Sequence, residues 1–512
     1  MIPHTVIGRQ LAAPLSSVGR RWKSVHLHAF GVALIVATWA GGGSPTVTLL
    51  VGGITFTFIF VTIGIWEARR SALWFTPLSF YFFWSAVGLG VCATYVGANF
   101  LMAGESVPFM EYEISPPYIQ GAYVIYVVGS LALHIGIELV RPVGSELRLR
   151  RSDLETNVLT WMTLLWAVGM LYQLKHSWFS PLGTIANPVH WAALSSVCFL
   201  ILTPRKQWHL SPVWYWGMFM VGTVGTFLGN VITGNKSYMI FSFLPLVWFA
   251  VLRKKPGKVM IAIGLCLAVF YFGVVAPGVS SARLQGVMTG TDLFDQLASA
   301  AKQSVGLESR HVSRGSQAVS EQFFLRQFDP LPVSFILGEV ERDGFRYGET
   351  MAYGSYALIP RLLWPDKPSL SKGSWFTAYL GFSPREEEAT TSTGITATGE
   401  LYWNFGIVGV VAGMLFIGML IGAVWRLAGA DPRGKLLHML LYTSLLLDVM
   451  NMSEAVTVVA FWAAEFLIFG MVFFMLESHP KSLSLGTPIW PVYNIRKIDR
   501  ENPERESPPS VR

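Results

Sequence analysis

Residues 401–425, LYWNFGIVGVVAGMLFIGMLIGAVW, form a run of 25 residues without a charged side chain. About 20 apolar residues are enough for one helix to cross the hydrocarbon core of a bilayer, so this run predicts a transmembrane helix. The rest of the chain agrees with that prediction. Of its 512 residues, 52% are hydrophobic and only 13% are charged, and the mean hydropathy of +0.46 lies outside the range of soluble globular proteins.

Further apolar runs of suitable length occur on both sides of this stretch. They lie at 28–42, 46–66, 73–96, 119–140, 157–174, 187–203, 212–232, 237–252, 258–277, 434–450 and 456–476. The first two are separated by Gly41, Gly42, Gly43 and Pro45, which makes their separation the least certain. The predicted fold is therefore an all-α integral membrane protein with about twelve transmembrane helices.

The basic residues predict how these helices are oriented. When the N-terminus is placed in the cytoplasm, one side of the membrane holds 25 of the 38 Lys and Arg residues, as the positive-inside rule requires. An even number of spans then places both termini in the cytoplasm, and the long segment 278–400 outside. We expect a bundle at 1–277, a large and partly helical extracytoplasmic loop at 278–400, further transmembrane helices at 401–478, and a Pro-rich, disordered cytoplasmic tail at 479–512.

Several classes of protein are disfavoured by the sequence. The basic residues lie in short blocks between apolar runs, a pattern typical of membrane topology and not of nucleic-acid binding. The three cysteines lack the spacing of metal ligands. The chain has no P-loop, no HExxH, no GxSxG and no extracytoplasmic Asp-x-Asp pair. No metal site and no cofactor is predicted.

The long loop combines many cations with fourteen Asp and Glu residues. Its cations include Arg283, Arg310, Arg314, Arg326, Arg342, Arg346, Arg361, Lys367, Lys372 and Arg385. The planar guanidinium group suits the oxygens of a diphosphate, but the same arginines can also form salt bridges within the loop. Both interpretations stay open for each arginine, and the set as a whole favours a diphosphate ligand.

The most specific local pattern is YALIPRLLWPDKP at residues 356–368. Pro360 and Pro365 prevent a continuous helix, and Trp364 favours a re-entrant or interfacial turn that holds Arg361 and Lys367 near the bilayer surface. Farther along, Glu400 opens a predicted helix. Its carboxylate is either a helix N-terminal charge or a general base for a sugar hydroxyl.

Two longer segments carry a family resemblance. YGETMAYGSYALIPRLLWPDKP at 347–368 and TGITATGELYWNFGIVGV at 393–410, around a large loop in the C-terminal third, resemble the oligosaccharide repeat unit polymerase (O-antigen polymerase) family. The resemblance covers the layout of the whole chain, but the motif similarity is confined to about residues 326–410. Before the loop, only Gly234, Asn235 and Lys236 loosely match the family pattern of a basic residue after Gly.

The resemblance implies a metal-independent membrane glycosyltransferase, similar in fold to the C-type enzymes, at the outer face of a bacterial inner membrane. Its donor and acceptor would be oligosaccharides linked to undecaprenyl diphosphate, and its partners would include a chain-length regulator and a flippase. The implied catalytic residues are Glu400, His311 and Arg361. The implied substrate-binding residues are Arg283, Arg310, Arg314, Arg326, Arg346, Lys236, Trp364, Asp366 and Lys367.

Two other functions remain open at this point. A ligase would use the same donor but a different acceptor, and the WPDKP segment argues against it. A transporter of lipid-linked sugar or polymer would bury paired charges at mid-membrane and seldom has so long an arginine-rich loop. Glu138 ends the fourth predicted span, and Asp448, Glu454 and Glu465 lie in or beside the last two. Each is either functional or a hydrogen-bonded structural carboxyl.

Overall fold

The structure is a computed structural model of the chain. It describes residues 7–71, 75–103, 107–109, 112–142, 158–179, 187–203, 208, 210–232, 239, 241–252, 266, 270, 324–325, 327–357, 359, 362–367, 372–381, 383–386, 393–432, 435–450, 452 and 454–478. Nearly all of the predicted span 258–277, the first part of the predicted loop and the tail from 479 lie outside the described residues.

The described residues are almost entirely helical. The α-helices are α1 Ile7–Ala40, α2 Pro45–Arg70, α3 Pro77–Ser85, α4 Ala93–Ala103, α5 Pro116–Val140, α6 Val158–Leu174, α7 His176–Phe179, α8 Asn187–His190, α9 Ala192–Leu202, α10 Pro212–Ile232, α11 Leu244–Leu252, α12 Pro330–Asp343, α13 Gly354–Ala357, α14 Gly373–Tyr379, α15 Ala397–Ala428, α16 Leu436–Asp448 and α17 Ala455–Ser478. A π-helical stretch, Ala86–Cys92, joins α3 to α4, and Glu349–Met351 is a 3₁₀ turn. Strands β1 Val107–Phe109 and β2 Tyr112–Ile114 form a small antiparallel ribbon in which Val107 pairs with Ile114.

Six helical segments of the described part are long and apolar enough to cross a membrane. They are Trp22–Ala40, Pro45–Arg70, Pro77–Met102, Pro116–Val140, Ala397–Ala428 and Ala455–Met475, and α6, α9 and α16 are shorter apolar helices. The chain is thus an all-α, multi-pass membrane protein. The number twelve, the inner membrane and the cytoplasmic termini remain predictions.

Helices α5 and α15 form the central contact of the bundle, and glycines make it possible. A Cβ atom placed on Gly136 would lie 2.2 Å from the carbonyl oxygen of Leu415, and one on Gly129 would lie 3.0 Å from the Val410 side chain. Small residues at a helix interface allow this close backbone approach in membranes. Because Gly129 faces Val410 and Gly136 faces Leu415, the two helices run parallel. The predicted fourth and tenth spans must also run parallel in a twelve-span topology.

The parallel helices share one basic end. Arg141 follows α5, and its guanidinium lies 5.6 Å from the ring of Trp425, next to Arg426 in the last turn of α15. Arg70 ends α2 near the same place, because Glu67 binds both Arg70 and Arg141. We call this the basic end of the bundle, and the opposite end, where α5 begins at Pro116, the loop end.

Helix α15 is bent back on itself at Gly406, which the sequence analysis missed. Gly406 has φ +64° and ψ −157°, and the Thr398 hydroxyl donates to Sδ of Met414 at 3.7 Å. In a straight helix these residues would be roughly 24 Å apart along the axis. Residues 397–405, the short limb, therefore fold against residues 407–428, the long limb. The predicted span 401–425 is wrong at its start, because glycine allows a left-handed φ that reverses the chain.

A second part of the predicted loop also enters the bundle. Along α5, Tyr118 binds Glu341 at 2.5 Å, Gly121 faces Leu337, and the Tyr123 ring stacks on Phe328 at 6.3 Å. Residues farther along α5 thus contact residues nearer the start of α12, or just before it. The N-terminus of α12 consequently lies two helical turns inside the loop end, and α12 rises from there towards the loop end. The predicted loop 278–400 contains two re-entrant segments, this one and residues 397–400 of the short limb.

Candidate functional site

Glu400 occupies the first turn of the short limb and is completely buried. The turn begins at Thr396, whose hydroxyl accepts a hydrogen bond from the Gly399 amide at 3.1 Å and caps the helix. One carboxylate oxygen of Glu400 accepts from the Tyr353 hydroxyl at 3.2 Å, and the other accepts from the Val456 amide at 3.2 Å. The predicted helix N-terminal position of Glu400 is confirmed, and its role as a base remains a prediction.

Asn404 ties the turn at Gly348 and Thr350 to this helix by three hydrogen bonds. Its amide nitrogen donates to the Glu400 carbonyl at 2.7 Å and to the Thr350 hydroxyl at 2.6 Å, while its side-chain oxygen accepts from the Gly348 amide at 2.8 Å. Gly348 has φ +96°, a conformation that favours glycine. Gly348 and Thr350 are thereby fixed one helical turn from Glu400.

Tyr353 connects Glu400 to the cations of the loop. Burial, together with the nearby Glu400 carboxylate, raises the pKa of the Tyr353 hydroxyl, so it stays protonated and remains a donor. The ammonium of Lys372 lies 5.2 Å from the Tyr353 ring, a cation–π contact, and 5.7 Å from the ring of Trp375. The Lys372 amide donates to Glu454 at 3.2 Å, which places Glu454 beside this cluster.

An apolar groove of about 740 Å³ begins beside this cluster. Its walls come from both limbs of α15, from α17 and from the loop around α13. The lining includes Met351, Gly354, Ala357, Leu401, Phe405, Val408, Ala412, Phe416, Val456, Val459 and Ala463. Val456 is both a wall of the groove and the amide donor to Glu400, so the carboxylate lies directly behind the wall. A volume of this size falls in the range of ordinary ligand sites.

The described residues 359 and 362–367 carry exposed apolar side chains at the same end of the bundle. Leu362, Leu363 and Trp364 are 69%, 76% and 40% exposed, a pattern suited to the interface between lipid and water. Asp366 is exposed. Lys367 is buried, and its ammonium donates to the carbonyls of Ala357 and Ile359, each at 2.8 Å. In this conformation Lys367 stabilises the turn, which differs from the predicted contact with substrate.

Arg346 lies on the opposite side of the short limb from the groove. Its guanidinium donates to the Tyr379 hydroxyl at 2.9 Å and covers the ring of Trp403 at 5.6 Å, and its amide donates to the Trp403 carbonyl. Asp343 and Glu349 lie 3.7 Å from it. Of the two interpretations of the loop arginines, the salt-bridged one describes the contacts of Arg346 observed here.

The half-buried Asp448 and the buried Glu465 of the last two helices have structural partners. Ser444 donates to Glu465 at 2.5 Å and lies 3.0 Å from Asp448, and the indole of Trp191 donates to Asp448 at 2.7 Å. These contacts join α16, α17 and the start of α9. For Asp448 and Glu465, this arrangement fits the interpretation as hydrogen-bonded structural carboxyls.

The structure brings Glu400 together with the groove, the Trp364 turn and Lys372, but it does not test the other predicted site residues. Arg283, Arg310, His311, Arg314, Arg326, Arg361 and Lys236 lie outside the described residues. The sequence did not indicate the contact of Tyr353 with Glu400 or the groove, because both depend on the reversal of the chain at Gly406.

When the chain was compared with family models, curated proteins and solved structures, no match was found.

Proposed function

We propose that this protein polymerises oligosaccharide repeat units carried on undecaprenyl diphosphate, at the outer face of a bacterial inner membrane. The proposal includes twelve spans, cytoplasmic termini and a likeness to the C-type membrane glycosyltransferases. It also includes an extracytoplasmic position for the loop end of the bundle.

The observation that carries the proposal is the course of the groove. On α15 its lining extends from Leu401 to Ile417, and on α17 from Ala455 to Ala463, so it leads from the loop into the apolar part of the bundle. A polyprenyl chain is apolar along its whole length and carries its polar diphosphate at one end. With the chain in the groove, that diphosphate would lie at the head of the groove, near Tyr353, Glu400 and Lys372.

This placement supports a direct displacement at the donor sugar. The acceptor hydroxyl attacks the anomeric carbon, its new C–O bond forms, and the bond from that carbon to the diphosphate oxygen breaks. The acceptor's proton passes to the Tyr353 hydroxyl oxygen while Tyr353 gives its own proton to Glu400, along the 3.2 Å contact. Cations stabilise the charge that develops on the diphosphate. Lys372 is in place near Tyr353, and Arg361 is the sequence-based candidate.

A matched pair of variants tests the groove. Ala412 lines the groove, whereas its neighbour Val411 does not, and both are exposed on the long limb. Ala412→Trp should fill the groove and lower polymer synthesis at least about tenfold, a loss of about 1.4 kcal/mol or more in transition-state stabilisation. Val411→Trp adds the same ring to the other face and should leave synthesis unchanged.

The readout is polymer formed by purified protein per amount of folded protein in detergent. Equal activity in Ala412→Trp and Val411→Trp would show that the groove does not hold the substrate lipid.

A further inference from the structure

Helix α5 carries a stripe of polar side chains along one face through the membrane-spanning part of the bundle. Tyr126, Ser130, His134, Glu138 and Arg141 follow one another at spacings of four, four, four and three residues, and all are buried. These spacings place them on one face of a helix. We call this the polar stripe. Ionisable groups at such depth are costly and usually serve a function.

The stripe reaches the surface at the basic end. The Arg141 guanidinium lies 2.6 Å from Glu67 of α2 and 2.8 Å from Glu138. Glu67 also binds Arg70 at 2.5 Å, and the Arg70 side chain is 35% exposed. This end of the stripe is therefore connected to the surrounding water through the partly exposed Arg70.

The middle of the stripe is a chain of hydrogen bonds whose donors can be assigned. Ser130 donates its hydroxyl proton to the Val127 carbonyl at 2.8 Å. His28 of α1 lies 3.1 Å from the Ser130 oxygen through Nε2, so His28 must be the donor there. In a neutral His28, Nδ1 is then an acceptor. It lies 3.2 Å from Nδ1 of His134, so His134 must donate in turn.

The same reasoning leaves the proton between His134 and Glu138 unassigned. A neutral His134 that donates through Nδ1 has a lone pair on Nε2, and this atom lies 3.6 Å from Oε1 of Glu138. Both of these atoms are hydrogen-bond acceptors, so they repel each other unless one of them carries a proton. Ser24 also lies 3.5 Å from Nε2 of His134. When that proton lies on Glu138, the donors from Glu138 to Ser130 all point in one direction, the arrangement that hands a proton from group to group.

At the far end, the stripe meets a carboxyl from the re-entrant segment. Tyr126, one helical turn beyond Ser130, lies within electrostatic range of Tyr81 and Asp329. Asp329 precedes α12 but does not cap it. Its carboxylate oxygen would lie 3.1 Å from a Cβ on Gly88, inside the π-helical stretch Ala86–Cys92, a feature frequent at functional sites.

The surroundings of Asp329 favour proton exchange. Among the described residues, none forms a hydrogen bond or salt bridge with its carboxylate. The described titratable groups that face it are Tyr81 and Cys92 of the third span and Tyr126 of α5. Burial raises the pKa of Asp329 to about 7, so the group changes its protonation state near neutral pH.

We propose that the polar stripe is a proton-transfer path that links the basic end of the bundle to Asp329. A proton enters from Glu138 at Nε2 of His134, and the Nδ1 proton of His134 moves to Nδ1 of His28. The Nε2 proton of His28 moves to Ser130, and the Ser130 hydroxyl turns away from the Val127 carbonyl and passes its own proton towards Tyr126 and Asp329. Each group gains one proton and loses one. The proton leaves Asp329 towards the loop end, and the path is independent of the proposed glycosyl transfer.

The test is proton uptake by sealed vesicles that contain the purified full-length protein and a trapped pH-sensitive dye. A potassium gradient with valinomycin supplies a membrane potential, negative inside, and no glycan substrate is added. Vesicles with wild-type protein should take up protons faster than protein-free vesicles. Asp329→Asn and His134→Phe should each lower the protein-dependent rate at least about tenfold, since each interrupts the path.

The control is His438→Phe. His438 is a buried histidine of α16 that stacks on Phe473 and lies outside the stripe, so its rate should match wild type. Asp329→Asn keeps the size of the side chain, and its fold is checked by gel filtration and circular dichroism. A folded Asp329→Asn with the wild-type rate, or wild-type vesicles no faster than protein-free ones, would overturn the proposal. Polymer synthesis in detergent needs no gradient and reports on the proposed function separately.

Discussion

At the scale of single residues, Asp329 makes stability depend on pH in an unusual direction. Its pKa is about 7 in the fold, against 3.8 as a reference. Because the folded state binds the proton more tightly than the unfolded state, the folded state loses stability as pH rises from about 4 to 7, with little further loss above that. Most acidic residues in salt bridges behave in the opposite way.

We therefore expect Asp329→Asn to raise the free energy of unfolding by about 1 to 3 kcal/mol at pH 8, where the wild-type carboxyl is charged and has no hydrogen-bond partner among the residues that the structure describes. At pH 5 the two proteins should differ much less. Thermal unfolding in detergent at both pH values is the measurement, with the exposed Asp366→Asn as control. An equal effect of Asp329→Asn at pH 5 and pH 8 would contradict the assignment.

Tyr353 and Glu400 give a second prediction at this scale. Tyr353→Phe removes only the hydroxyl that donates to Glu400. It should lower the rate of polymer formation by one to two orders of magnitude, about 1.4 to 2.7 kcal/mol, if the acceptor's proton passes through it. The free energy of unfolding should fall by only about 1 kcal/mol. A normal rate in folded Tyr353→Phe would remove Tyr353 from the mechanism.

At the scale of secondary-structure elements, the apolar runs predicted most helices well. The run at 212–232 coincides with α10, 119–140 lies within α5, and 456–476 lies within α17. Hydropathy failed at Gly406, because a run without charges looks the same whether it continues straight or reverses. The position of Glu400 behind the groove wall depends on that reversal, so the site was only partly predictable. Thr396, at φ +66°, is a second strained position of this segment.

The reversal itself can be tested. Gly406 has φ +64°, and an added Cβ would also meet the Phe345 ring at 3.1 Å. Gly406→Ala should lower the free energy of unfolding by about 1 to 2 kcal/mol and reduce polymer formation more than in proportion. Gly217→Ala is the control, because Gly217 lies inside α10 with open space around it and alanine favours the helix. Equal thermal midpoints for the two variants would contradict a left-handed residue at 406.

At the scale of the whole molecule, the charge pattern predicted that α5 and α15 run parallel and carry basic residues at the same end, and the fold shows this arrangement. Arg141 and Arg426 lie at the same end of two parallel helices, as the fourth and tenth of twelve alternating spans require. The charge pattern did not predict that segments of the loop return into the bundle. Long loops carry little topological information, and the amphipathic α12 gives no sign of its depth.

The sidedness of the molecule gives the next prediction. In a variant without native cysteines, a cysteine at Ser304 or Ser371 should react with an impermeant thiol reagent in intact spheroplasts, and one at Ser484 should react only after lysis. The physical reason is the excess of Lys and Arg on the side that holds the tail. Labelling of Ser484 alone in intact spheroplasts would reverse the topology.

The central claim is that the protein joins lipid-linked repeat units into a polymer. Its most direct test is to incubate purified protein in detergent with a single undecaprenyl-diphosphate-linked repeat and to separate the products by size. We expect a ladder of products that differ by one repeat and that disappears in Glu400→Gln. A single product capped on another acceptor would identify a ligase instead, and recovery of the unchanged repeat from folded wild-type protein would contradict the claim.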